Sequence, residues 1–96
     1  MSNEYSQGDL VRVSATFKVG VTPTDPTLTT FKLKEPGGKI TTYVYGVDAG
    51  LVRDGAGYFH VDVIPSAAGE HFYYFAGSGD CQAVEESSFF VKRGEF

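Results

Sequence analysis

The chain has 96 residues, enough for one domain with a modest core and too few for two. Eight Lys and Arg against twelve Asp and Glu leave a formal charge of −4, and no basic cluster is present, which argues against nucleic acid as a partner. Hydrophobic residues at 42% and charged residues at 21% are ordinary globular usage rather than that of a disordered chain, and a single Cys excludes an intrachain disulfide or a Cys-based zinc cluster.

The leader Met1-Ser2-Asn3-Glu4-Tyr5-Ser6-Gln7-Gly8 is polar and has neither the basic nor the apolar region of a signal peptide. The expectation is a whole gene product made in a cytoplasm. Apolar runs are a few residues long, short of the ~20 that a spanning helix needs, so no membrane association is expected.

From there the pattern is β throughout. Residues 9–19 alternate, with Val11, Val13, Ala15, Phe17 and Val19 on one face and Arg12, Ser14, Thr16 and Lys18 on the other. Pro23, Asp25 and Pro26 break the chain. Residues 27–35 set Thr29, Phe31 and Leu33 against Thr30, Lys32 and Lys34, and Pro36-Gly37-Gly38 turns the chain. Residues 39–45 are β-branched and aromatic. Leu51-Val52-Arg53 makes a short strand ending at Asp54-Gly55. Residues 58–64 point Phe59, Val61 and Val63 inward and His60 and Asp62 outward. After a turn at Pro65–Gly69, residues 70–76 carry His71, Phe72, Tyr73, Tyr74 and Phe75. Both faces of that strand are apolar, which makes it central and leaves its parity open. A last strand over 81–92 carries Phe89 and Val91.

About seven short strands, turn signals every 8–12 residues and no helical period predict an all-β fold. Its form is an antiparallel β-sandwich, most simply an immunoglobulin-like Greek key, with a small closed barrel as the alternative. The whole chain, 1–96, reads as one domain, with flexible tails at 1–8 and 93–96. Phe31, Phe59, Phe89 and Val91 are the predicted structural core. Without Trp or a disulfide, that core depends on aromatic packing by eight Phe and six Tyr.

Several short motifs follow one another in a fixed order. Asp25-Pro26 precedes a strand ending Glu35-Pro36-Gly37-Gly38. Gly57-Tyr58-Phe59 opens the next strong strand. Pro65 and Gly69 frame the turn before an aromatic strand with Tyr73, and the chain closes Glu86-Ser87-Ser88-Phe89-Phe90-Val91. This order, over roughly residues 9–92, resembles the small immunoglobulin-like β-sandwich proteins encoded by tailed bacteriophages. There the pattern is a DP, a P-x-G turn, a G-x-Y, a G-x-W-x-Y and an E-x-x-F-x-V. Phe59 stands where the family often has Tyr, and His71 where it often has Trp. The resemblance implies a virion protein of the neck, tail or capsid surface. It also implies contacts with other virion proteins, and multiple copies in a symmetric assembly.

Chemistry-bearing residues are sparse, and the expectation is a non-enzymatic protein with no cofactor and no metal. His60 and Asp62 share a face, but in a sandwich the next strand crosses to the other sheet and takes His71 away from them. They read as a surface His and a half-buried His at a strand start. Ser, His and Asp occur without a nucleophile-elbow motif. Glu85 and Glu86 are adjacent on a strand and face opposite ways, which does not suit shared acid–base work. Cys81 reads as a small half-buried thiol, with a disulfide to a neighbouring subunit as the sharper alternative. Tyr43 and Tyr45 share a strand face and are the candidate interaction residues, against the plainer reading of core packing. Exposed aromatics on one sheet would also suit a carbohydrate- or receptor-binding module, and an interaction domain of bacterial origin is a third reading.

Overall fold

The structure, a computed structural model, describes residues 4–94. Among them there is no helix. Ten strands follow in order: β1 (Glu4–Ser6), β2 (Val11–Thr16), β3 (Lys18–Val19), β4 (Thr22–Pro23), β5 (Leu28–Lys34), β6 (Ile40–Val44), β7 (Leu51–Gly55), β8 (Tyr58–Val63), β9 (Gly69–Ser78) and β10 (Ala83–Lys92). They form a five-stranded sheet in the order β1-β10-β9-β5-β6, a three-stranded sheet β2-β8-β7 and a small β3-β4 ribbon. All neighbours are antiparallel except β1 and β10, which run parallel.

The two larger sheets close on one core. Val11, Val13, Ala15, Leu51, Phe59 and Val61 come from the three-stranded sheet, and Phe31, Leu33, Phe75, Phe89 and Val91 from the five-stranded one. Phe31, Phe59, Phe89 and Val91 are each at most 2% exposed. Full burial of a Phe is worth ~1.5–3 kcal/mol.

The strand count is ten rather than about seven, and the excess has local causes. The expected strand over 9–19 breaks at Phe17. Its N–H still donates to Gly57 O, in register with β8, at 2.7 Å, but its carbonyl accepts from Thr24 N at 2.9 Å while the Gly57 N–H turns to Asp25. The chain beyond therefore folds back as the β3-β4 ribbon while the Phe17 ring packs edge-on against Phe59. The third extra strand, β1, lies in the leader. The flexible tail expected over 1–8 therefore has to be corrected at Glu4–Ser6, which are paired to Phe90, Val91 and Lys92. Tyr5 anchors it, its ring edge-on to Phe89 at 5.8 Å. Glu4 pairs with Lys92 at 3.0 Å, and Gly94 N donates to the Gln7 side chain, so leader and tail hold each other. The remaining tail residues, 1–3 and 95–96, lie outside the described residues.

One polar tie spans the loops at one end. Asp25, between β4 and β5, accepts from Arg53 Nε at 3.0 Å and from Gly57 N at 2.8 Å. Gly57 has φ +80°, and a Cβ there would lie 2.5 Å from Phe17 O and 2.7 Å from Thr24 N, so only glycine fits. The Arg53 guanidinium, and after it the Gly57 N–H, hold the Asp25 carboxyl below the usual carboxylate range against a smaller effect of desolvation.

Two outcomes follow for stability. Phe89→Ala is expected to cost about 3–5 kcal/mol, which lowers Tm by ~15 °C or more in a domain of this size. A calorimetric Tm within a degree or two of wild type would show the β10 register to be wrong. The depressed folded-state pKa of Asp25 means that its charge stabilises the fold at pH values above the unfolded carboxylate value and that this contribution is lost as pH falls through the folded one. Melts of wild type and Asp25→Asn should therefore differ most at pH ~6 and converge as pH drops below ~4.

Candidate interaction surface

The parity of β9 decides what each face of the five-stranded sheet carries. His71, Tyr73 and Phe75 turn toward the core, and Phe72 and Tyr74 turn outward. Cross-strand partners share a face, so the register assigns the rest of the outer surface. Phe72 lies between Lys34 and Ser88, with Ile40 beyond Lys34. Tyr74 lies between Lys32 and Glu86, Ala76 between Thr30 and Val84, and Glu70 beside Phe90. Phe72 is 51% exposed, Ile40 58% and Val84 64%, and Phe90 is also exposed. Lys32 Nζ stands 5.8 Å over the Tyr74 ring. Lys32, Lys34, Ile40, Phe72, Tyr74 and Glu86 line a shallow groove of about 160 Å³. Apolar side chains from three strands, β6, β9 and β10, interleaved with charges from β5 and β10, have the composition of a contact surface.

The tyrosines expected to supply that surface turn the other way. Tyr43 is half-buried and stacks on Phe31 at 5.8 Å, with 27° between the rings. Tyr45 follows β6, donates its N–H to Thr29 O and sets its ring edge-on to Phe59 at 5.4 Å. It remains 45% exposed and borders a depression with Val47 and Asp48. Both rings cover the core edge. Phe72 and Phe90, which carry the outer face, have no sequence signal apart from strand parity.

The two histidines lie on different sheets, and both are more buried than a surface and a half-buried residue. On the outer face of the three-stranded sheet His60 is 8% exposed. Its Nδ1 is 2.6 Å from Asp54 Oδ2, and its Nε2 is 3.9 Å from Asp62 Oδ2. Asp62 in turn takes both its oxygens to Arg12 at 2.8 and 2.9 Å, which holds its carboxyl below the usual range. Ser14 is the cross-strand partner of His60 on this face, but no hydrogen bond joins them among the described residues. His71 is fully buried, stacked on Phe89 at 4.9 Å and 8°. Its Nδ1 donates to Gly69 O at 3.1 Å, and its Nε2 is buried with no partner among the described residues. No group of three or more His, Cys, Asp or Glu among the described residues could hold a metal ion.

Glu86 stands opposite Tyr74 on the outer face, and Glu85 opposite Phe75 on the inner side. Cys81 is 2% exposed and its thiol donates to Lys18 O at 3.5 Å. A thiol so enclosed is a core group, out of reach of a neighbouring subunit unless the turn before β10 opens.

No protein-family model matches the sequence, and a search of curated proteins finds no match. Among solved structures, a provisionally assigned glycoside hydrolase from Bacteroides vulgatus ATCC 8482 is similar at a TM-score of 0.61 with 16% sequence identity. The similarity covers 95% of this chain but 16% of that one, so it is a likeness of fold to one part of a much longer protein.

Proposed function

We propose that the chain is a non-enzymatic structural module of a tailed-phage particle, at the neck, tail or capsid surface. It acts through protein–protein contacts within the particle, and the outer face of its five-stranded sheet is a contact surface. The observation that carries this reading is that face: Phe72, Tyr74, Ile40, Phe90 and Val84 put an interrupted apolar strip on one side of the sheet, with Lys32, Lys34, Ser88 and Glu86 in its gaps. Burying such a strip against a partner returns ~25 cal/mol per Å² of apolar area, which a domain alone in water forgoes.

The immunoglobulin-like part of the reading is supported by the strand order, β1-β10-β9-β5-β6 opposite β2-β8-β7, with the first strand parallel to the last. The motifs that resemble the phage family also have structural work in this chain. Asp25 caps the Gly57 turn, and Phe89 and Val91 enter the core. Pro36 lies so close to Gly69 that a Cβ there would be 2.9 Å from its ring. His71, in the position where the family often has Trp, supplies a flat ring against Phe89.

Particles purified from cells carrying the encoding genome are expected to contain the chain at a fixed ratio to the shell protein. Phe72→Glu, which leaves the core untouched, should lower that ratio at least tenfold in quantitative mass spectrometry. Particles that lack the wild-type chain would sink the reading.

A second reading, a saccharide-binding module, is favoured by one feature of the same face. Phe72 and Tyr74 are two residues apart on one strand, about 7 Å along it, a spacing suited to stacking on neighbouring sugar rings. The similar structure belongs to a provisionally assigned glycoside hydrolase in which this fold is one part of the chain. Titration of the protein with soluble polysaccharides separates the two: heat of binding that disappears in both Phe72→Ala and Tyr74→Ala promotes the second reading over the first.

A further inference from the structure

One row of charges beside the exposed rings is arranged so that it complements itself. Lys32, Tyr74 and Glu86 occupy one row across β5, β9 and β10. Strands lie ~4.8 Å apart, so the Lys32 and Glu86 backbones are about 10 Å apart with a Tyr ring between them. They form no ion pair with each other. Among the described residues none of Lys32, Lys34 and Glu86 has an intrachain ion-pair partner. The positive column, Lys32 and Lys34, lies on one side of β9, and Glu86 lies on the other.

We infer that the occupant of this face is a second copy of the same chain, docked sheet to sheet about a two-fold axis running along β9. Rotation about that axis exchanges the β5 and β10 sides and keeps each row level. Lys32 of each copy then faces Glu86 of the other, twice over. Phe72 meets Phe72, Tyr74 meets Tyr74, Val84 meets Thr30 and Lys34 meets Ser88, while Glu70 at the start of β9 meets its own copy, a like-charge contact that the two Lys32–Glu86 pairs must outweigh. Sheets pack face to face at ~10 Å, a gap that a Lys and a Glu side chain reaching from opposite sides can close. An interface in which one patch meets itself closes at two copies and does not grow into a filament. The inference rests on the proposed reading in so far as the same outer face is the contact surface.

The test is the monomer–dimer equilibrium of the whole chain by sedimentation at concentrations from about 1 to several hundred µM. Wild type should dimerise. Lys32→Glu sets carboxylate against carboxylate on both sides of the axis, and Glu86→Lys sets ammonium against ammonium. Each should weaken the dimer at least tenfold while the thermal melt of the monomer stays near wild type. An equimolar mixture of the two variants should recover a dimer, because every facing pair is then of opposite sign, and the Lys32→Glu, Glu86→Lys double variant should recover it alone. Phe72→Glu should abolish association in all of them.

A wild type that stays monomeric throughout overturns the inference, as does a mixture that fails to recover. So does a monomer whose Phe72 face binds a polysaccharide. A monomer that still enters particles overturns the dimer and leaves the assembly reading standing. A dimer with the charge-swap behaviour, in a chain absent from particles, supports the dimer and overturns the assembly reading.

Discussion

Side chains alternate strictly along a β-strand, and in β9 that constraint acts on an unbroken run of rings from His71 to Phe75. Sending His71, Tyr73 and Phe75 inward builds a continuous aromatic layer. Phe31 packs on Phe75 at 4.9 Å and lies 6.3 Å from Tyr73, which is 6.1 Å from Phe89, which stacks on His71 and receives the edge of Tyr5. The same alternation obliges Phe72 and Tyr74 to face solvent. The core and the exposed aromatic face are therefore two consequences of one register, and shifting β9 by a single residue would exchange them.

That layer takes the place of the disulfide and Trp on which antibody-type sandwiches rely. It also explains why the chain's first described residues are held. Tyr5 contributes one of its rings, and the backbone of β1 pairs with β10 along the edge, so that the long last strand is covered on that side. At the opposite edge of the sheet Tyr43 stacks on Phe31, and Tyr45 reaches across to Phe59 of the other sheet. Rings thus cover the core at its margins as well as at its centre. The cost falls on His71, whose Nε2 is buried without a partner among the described residues. A flat ring is kept against Phe89 at the expense of a desolvated ring nitrogen, about 1–3 kcal/mol.

The polar residues divide by the work they do. Asp25 and Asp62 each meet an arginine in two-point contact, and each carboxyl is held below the ordinary range by it. Asp25 adds the Gly57 N–H and so clamps the turn between β7 and β8 to the segment leading into β5. Lys32, Lys34 and Glu86 do none of this. They stand beside the outward rings of β9, with the two lysines on the β5 side and the glutamate on the β10 side.

The sequence by itself determined the all-β class, the places of the longer strands and the inward set Phe31, Phe59, Phe89 and Val91. In those segments apolar and polar residues alternate cleanly, and only one parity buries the apolar face. It also separated His60 from His71, because successive strands on either side of the Pro65 turn belong to different sheets. Three things were decided only in the folded chain. The parity of β9 was open because both of its faces are aromatic, so periodicity carries no sign there. The direction of Tyr43 and Tyr45 depended on the nearness of Phe31 and Phe59, rings contributed by other strands. The strand at Glu4–Ser6 was concealed by its polarity, since its place depends on the parallel ladder with β10 and on one ring meeting Phe89 near the far end of the chain.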